Sequence, residues 1–290
     1  MDNRMLVSPV IEWVSTPNGV ARVPTSGTDS NIILHTYDRF TKEYVVFSYN
    51  SNTGKQIWST YLPAGGYASP IVGEGIVYIP CGYTQICGLN EKTGERLWTR
   101  ELHSRNRSTP VFYDGLAYLG VGNRIYGINH EGNIEKESIL KGVLFYGNPL
   151  IINDCLYILG DSNPTGNKSM LNVFSIDLST MELSWKLELG PAAMISCDSS
   201  GLAFHHSGLI FVGGFDGYLR CIDLKEKTIK WAVEGKGILT RSKPVVKDDT
   251  VYVNSLSGYI MAVDILTGKR KFNQFLSPEG MWLFCASSNS

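Results

Sequence analysis

The side chains best equipped to bind or react recur at one place in a repeated pattern. Tyr67, Arg107, Tyr146, Ser200 and Arg241 each stand three residues before a proline, or before the alanine that replaces it, in five related segments. An arginine offers a planar fork of donors that matches a carboxylate or phosphate, and a tyrosine offers a ring to stack and a hydroxyl to bond. If these positions converge, Arg22, Tyr67, Arg105, Arg107, Tyr146, Arg241 and Trp282 form a candidate binding set for a small anion or a peptide-like ligand. Ordinary solvated surface would carry the same row without a site. For acid, base or nucleophile work the candidates are Tyr146, Asp198 and His205, with Cys197, Asp161 and Glu279 on or near the same expected face. None sits in a diagnostic spacing: there is no histidine pair four apart, no Gly-x-Ser-x-Gly and no phosphate loop. His205 and His206 on one strand would point to opposite faces, so at most one would face a channel. In "GDSNPTGN", Asp161, Asn163 and Thr165 alternate as calcium ligands do, but no bidentate glutamate closes the loop, and no metal site is expected.

Composition narrows the classes. The 290 residues carry 26 Lys and Arg against 27 Asp and Glu, a net charge of -1, which disfavours nucleic acid as a partner. No apolar run reaches the roughly 18 residues of a membrane span, and the start "MDNRMLVSPVIEW" does not read as a signal peptide. The expectation is a cytoplasmic monomer. Six cysteines, at 81, 87, 155, 197, 221 and 285, form no CxxC pair. Cys81 and Cys87 fall on neighbouring strands of one hairpin, and free packed thiols are expected for them.

The elements that must position these residues follow from a repeat. "SPIVGEGIVYI", "TPVFYDGLAYL", "NPLIINDCLYIL", "LAFHHSGLIFV" and "KPVVKDDTVYV" set the proline position at 70, 110, 149, 203 and 244, mostly about 40 residues apart, the period of a repeated supersecondary unit. Most copies run on into a second apolar strand, a turn and an aromatic residue, as in "CGLNEKTGERLW" to Trp98, "FSIDLSTMELSW" to Trp185 and "RCIDLKEKTIKW" to Trp231. "FSYNSNTGKQIW" ends at Trp58 and "AVDILTGKRKF" at Phe272, whereas "NHEGNIEKESIL" puts Glu137 near the tryptophan position. Each unit therefore predicts four short antiparallel strands, A to D from the proline outward, with the tryptophans packing blade on blade. Such units bury their faces only against neighbours, in a radial array. The fold class is an all-β propeller in one domain over 1–290, with blades near 20–62, 68–102, 108–139, 147–189, 200–234 and 242–276. Segments 1–19 and 277–290 are expected to close a reduced seventh blade, six blades being the alternative.

The order Ser/Thr-Pro-Val, Gly-x-Val-Tyr-Val, Asp-x-x-Thr-Gly-x-x-x-Trp, recurring over roughly 20–276, resembles the PQQ-like, quinoprotein-type propeller repeat. The resemblance implies that strand A lines a central channel, and that D-to-A and B-to-C connections share one face that commonly binds ligands. It does not extend to the quinone-dependent dehydrogenases, which are longer and carry adjacent cysteines that this chain lacks, so no cofactor is expected. The chain is also similar to the outer-membrane assembly propellers of the family, which are exported lipoproteins, although no lipobox-type start is visible. Two functions stay open: a module binding a peptide or protein through that face, and a cofactor-free cyclase, lyase, isomerase or hydrolase acting there on a small anionic or aromatic substrate.

Overall fold

The computed structural model describes residues 14, 20–21, 26–28, 30–38, 40–65, 68–106, 108–162, 164, 169–191, 201–214, 216–239 and 243–276. They form 25 strands in six antiparallel sheets, and no helix. In the first sheet β1 (Val20–Ala21) and β2 (Ser26–Gly27) pair with the two ends of β3 (Asn31–Tyr37), followed by β4 (Tyr44–Asn50) and β5 (Gln56–Leu62). The other five sheets each stack four strands in chain order. They are β6 (Ile71–Gly73), β7 (Ile76–Pro80), β8 (Gln85–Asn90) and β9 (Arg96–Glu101); β10 (Val111–Tyr113), β11 (Leu116–Val121), β12 (Arg124–Ile128) and β13 (Ile134–Ile139); β14 (Leu144–Ile152), β15 (Cys155–Asp161), β16 (Met170–Asp177) and β17 (Leu183–Pro191); β18 (Ala203–His205), β19 (Leu209–Gly213), β20 (Tyr218–Asp223) and β21 (Thr228–Glu234); and β22 (Val245–Lys247), β23 (Thr250–Asn254), β24 (Tyr259–Asp264) and β25 (Arg270–Phe275). The propeller expected from the repeat is the fold, and its described residues make six blades. The segments expected to close a seventh, with Trp13 and Trp282, lie outside the described residues apart from Val14.

Alternation decides where the core sits. In β7, Val77 and Ile79 meet Ile33, Val46 and Trp58 of the first blade, while Ile76 and Tyr78 meet Ala117 and Leu119 of the third. The same two-sided burial runs through the next three junctions. Because both faces of each middle strand are buried, burial rather than solvent sets its register. It also holds the Tyr78 and Tyr118 hydroxyls uncharged, with pKa values pushed up to about 12, desolvation being the main cause. The A-to-B turns "EG" and "DG" are hairpins in which both central residues take positive φ: 48° and 77° at Glu74 and Gly75, 47° and 74° at Asp114 and Gly115.

The C-to-D turns connect the blades. Asn50, Asn90, Asp177, Asp223 and Asp264 each accept the amide hydrogens two and three residues on. Trp58 then lays its ring on Gly94 of the next blade's turn and donates its indole N–H to the Glu91 carbonyl at 2.8 Å. Trp98 does this with Gly132 and His130 (2.7 Å), and Trp231 with Gly268 and Ile265 (3.0 Å). In the third blade the equivalent residue is Lys136, one before Glu137. Its C-to-D turn is one residue shorter, and Lys136 Nζ donates to the Leu178 carbonyl at 2.7 Å, keeping the polar half of the contact. All six blades carry a register shift between C and D beside this residue, so the preceding residue is extruded, which exposes Ile57 and Leu97.

Two glycines separate the ring contact from backbone strain. Gly75 and Gly94 share nearly the same φ, 77° and 73°, yet a Cβ on Gly75 meets nothing within 4 Å, whereas on Gly94 it would lie 2.5 Å from the Trp58 ring. Chemical denaturation should show Gly75→Ala costing about 1 kcal/mol and Gly94→Ala about 2–4 kcal/mol. Equal losses would mean that the indole does not hold the turn.

Candidate functional site

Strand order places the connections with the described residues 40–43, 63–65, 68–70, 81–84, 102–106, 108–110, 122–123, 140–143, 235–239 and 243–244 on one face of the ring, the D-to-A and B-to-C face. At its centre the innermost strands neighbour one another in the order β2, β6, β10, β14, and then, through a parallel bridge from Asn148 to Gly201, β18 and β22. A hydrogen-bonded belt joins them. The Ser69 amide donates to Thr109 Oγ1 at 2.9 Å, and the Thr109 amide to Asn148 Oδ1 at 3.0 Å. The fully buried Ser108 hydroxyl donates to the Gly147 carbonyl at 2.8 Å. The belt uses the letter just before the proline in three successive blades, Ser69, Thr109 and Asn148, short polar residues at one repeat position of the sequence.

That upstream ring is mostly beyond view. Arg22, Tyr67, Arg107, Asp198, Ser200, Arg241 and Trp282 lie outside the described residues, as do Cys197, Asn163, Thr165 and Glu279. Tyr146 corrects the expectation. It is buried, with its ring in the core between the fourth and fifth blades beside Leu159, Val173 and Leu202, so it is a packing residue rather than an exposed channel-mouth group. β14 is bulged between Tyr146 and Leu150, which breaks the simple counting of faces along the strand.

His205 is corrected as well. It ends β18 at the A-to-B turn, with Nδ1 2.7 Å from the Ser207 hydroxyl, while His206 lies in the turn with its ring 3.8 Å from that of His205 instead of on an opposite face. Because Asn148 and Gly201 are level in their parallel bridge, Tyr146 lies two residues above that level and His205 four below. At about 3.3 Å per residue the four residues from Gly201 to His205 alone put roughly 13 Å between them along the channel, too far to share a substrate atom. Asp161 is buried and spent on its own loop, bonded to the Ser169 hydroxyl and to the Met170 amide at 3.1 Å.

Arg105 lies exposed in the D-to-A connection after β9, with its guanidinium 5.2 Å from the centre of the Tyr83 ring. The Tyr83 carbonyl accepts the Asn106 amide at 2.6 Å and the Thr84 carbonyl that of Leu102 at 2.7 Å, so the D-to-A loop is laced to the B-to-C turn. Beneath that turn Cys81 and Cys87 are joined in a disulfide, both fully buried, which overturns the expectation of two free thiols; Cys155 and Cys221 are free. Cys87 pairs with Ile79, so Cys81 stands diagonally across the hairpin beside the B-to-C turn, with the two Cα atoms 5.8 Å apart and within bonding reach. Large apolar side chains are exposed at the strand ends and turns that lead to this face: Phe40 is 96% exposed, Tyr61 64% and Tyr83 56%, with Leu144 at the start of β14 and Phe275 and Leu276 at the end of the sixth blade.

A family model described as outer membrane protein assembly factor BamB matches residues 19–142 and 169–289. Among solved structures, the chain is similar to BamB from Moraxella catarrhalis at 14% identity and a TM-score of 0.69, covering 89% of this chain and 77% of that one. No curated protein matches the sequence.

Three outcomes test these placements. Tyr146→Ala should lose about 3 kcal/mol of stability, as removal of a packed ring does. Opening the disulfide with Cys81→Ser and Cys87→Ser should cost roughly 2 kcal/mol for so short a loop. Burial, then His206, lowers the His205 pKa, so below the ordinary histidine value of about 6.5 the unfolded chain binds a proton more readily than the folded one. Stability should therefore fall as pH drops from 7.5 to 5.5, and fall less in His205→Gln; an unchanged slope in the variant would exclude His205 as the cause.

Proposed function

The chain belongs to the family of the outer membrane protein assembly factor BamB, and we propose from that premise that it serves outer-membrane protein assembly as a rigid platform that docks a protein partner on its D-to-A and B-to-C face. The observation that carries this reading is the exposure of Phe40 and Tyr83 on the B-to-C turns of one face, with Arg105 against Tyr83 and Tyr61 near the end of β5 that leads to that face. Exposed aromatic residues with an arginine are what protein interfaces concentrate, because they bury much area and lose little rotamer freedom. Loops on a stiff scaffold present them without an ordering cost. The separation of Tyr146 from His205 along the channel gives no support to an enzyme site in which both side chains act on one substrate atom.

The disulfide bears on where this happens. Disulfides persist where thiols oxidise and are rare in the cytosol, so the proposed place of action is an oxidising compartment rather than the cytoplasm. Alkylation of the chain taken directly from its cells should label Cys221 after denaturation and leave Cys81 and Cys87 unlabelled until a reductant is added.

A photo-reactive residue placed in turn at 40, 61 and 83, and at Leu266 on the opposite face, tests the docking reading. Irradiation in cells should link the first three to one common protein of the outer-membrane assembly apparatus and leave position 266 unlinked. Equal linking from 266, or none from the three, would remove the reading.

A further inference from the structure

We propose that the docked protein presents an acidic surface, its carboxylates pairing with Arg105 and Lys236, two exposed cations mounted on tyrosine rings of the D-to-A and B-to-C face; this rests on the docking reading above and names the chemistry of the partner. The two mounts are built alike. In the second blade Arg105, from the D-to-A connection, lies over Tyr83 of the B-to-C turn, 5.2 Å from the ring centre. In the D-to-A connection after the fifth blade, Lys236 sets its Nζ 5.0 Å from the centre of the Tyr259 ring, which follows the sixth blade's B-to-C turn. Phe275 packs against that ring in a T-shape at 5.2 Å, and it and Leu276 are exposed beside it. A ring attracts a cation without neutralising it. The guanidinium keeps the donors at its edge and the ammonium those turned away from the ring, so both remain able to hold a carboxylate.

The chain itself contains the completed form of this arrangement. Arg220 lies over the Tyr218 ring at 5.5 Å, and Asp216 of the adjoining B-to-C turn takes both of its terminal nitrogens, Nη1 at 3.0 Å. Ring, cation and carboxylate there close into one unit, and Arg220 is buried. Arg105 and Lys236 repeat the ring and the cation and stay exposed. Glu101, four residues before Arg105, is spent elsewhere: it accepts from the Thr84 hydroxyl and from Gln85 Nε2 at 2.8 Å. The mount beneath Arg105 is fixed, because Tyr83 sits in the turn closed by the Cys81 and Cys87 disulfide and its carbonyl accepts the Asn106 amide at 2.6 Å. A carboxylate brought by the partner therefore meets a cation already in place, with apolar side chains beside it. Charges so placed at a rim steer encounter and select against a basic partner.

The test takes the full chain in complex with the protein that photo-links at 40, 61 and 83, and treats it with a water-soluble carbodiimide, which joins an ammonium to a carboxylate in direct contact. Mass spectrometry should find Lys236, and the new lysine of Arg105→Lys, in amide bonds to Asp or Glu side chains of that protein. Lys225, exposed in a C-to-D turn on the opposite face, should form none. In cells, Arg105→Glu combined with Lys236→Glu should lower photo-linking from position 40 at least about tenfold, since like charges then meet across the interface. Lys236→Arg should preserve it. The doubly reversed chain should keep the parent Tm, because both side chains are exposed. Photo-linking that survives the double reversal, no amide from either position, or equal amide formation from Lys225 would overturn the acidic partner and leave the docking reading standing. Absence of photo-links in the parent chain would overturn the docking reading and the acidic partner with it.

Discussion

The ring depends on one contact, repeated from blade to blade: an outer-strand side chain that lies on the next blade's C-to-D turn and donates a hydrogen bond into it. The indole of Trp58 meets Gly94 and the Glu91 carbonyl, and Trp98 and Trp231 repeat the arrangement. Each partner is shaped for it. Gly88, opposite Trp98 on strand C, would drive a Cβ to 2.2 Å from that indole, so this ring has a glycine behind it as well as one beneath it, whereas Ser48 and Cys221 stand opposite Trp58 and Trp231. The contact sits at the outside of the blade, where the angle between blades is set, and the apolar faces inside then close on one another. Where Lys136 replaces the tryptophan, the carbonyl is still satisfied and the apolar faces of the third and fourth blades still pack.

Rigid blades make the inner and upper surfaces predictable from one another. The belt of Ser69, Thr109 and Asn148 ties innermost strands that share no sheet, because each short polar side chain reaches the backbone of its neighbour. With the strand ends fixed, the connections above them have little freedom. The disulfide and the laced carbonyls of Tyr83 and Thr84 hold the Tyr83 and Arg105 pair in place. A platform of this kind gains affinity from preorganisation rather than from folding onto its partner.

Much of this was legible in the letters, and the misses have physical causes. The proline strands, the Glu-Gly and Asp-Gly turns and the tryptophans announced a propeller, since local chemistry and long-range packing agree at those positions. Tyr146 was misread because a bulge in β14 turns it into the core. Glu137 stands one residue past the tryptophan position, which Lys136 holds, because the preceding turn is one residue short. The Cys81 and Cys87 bond depends on the geometry of one hairpin, which spacing alone leaves open. The exposed Phe40 and Tyr83 gave no periodic signal at all, as loop residues that recur in no other blade.

The central claim is that a stiff ring docks a protein through one face. Amide hydrogen exchange of the chain, free and bound to the protein linked at positions 40, 61 and 83, tests it most directly. The account predicts slow exchange in the middle strands in both states, with new protection confined to 38–43, 81–85 and 102–106. Protection spreading instead over the A-to-B and C-to-D turns, or middle strands that exchange rapidly until the partner binds, would contradict it.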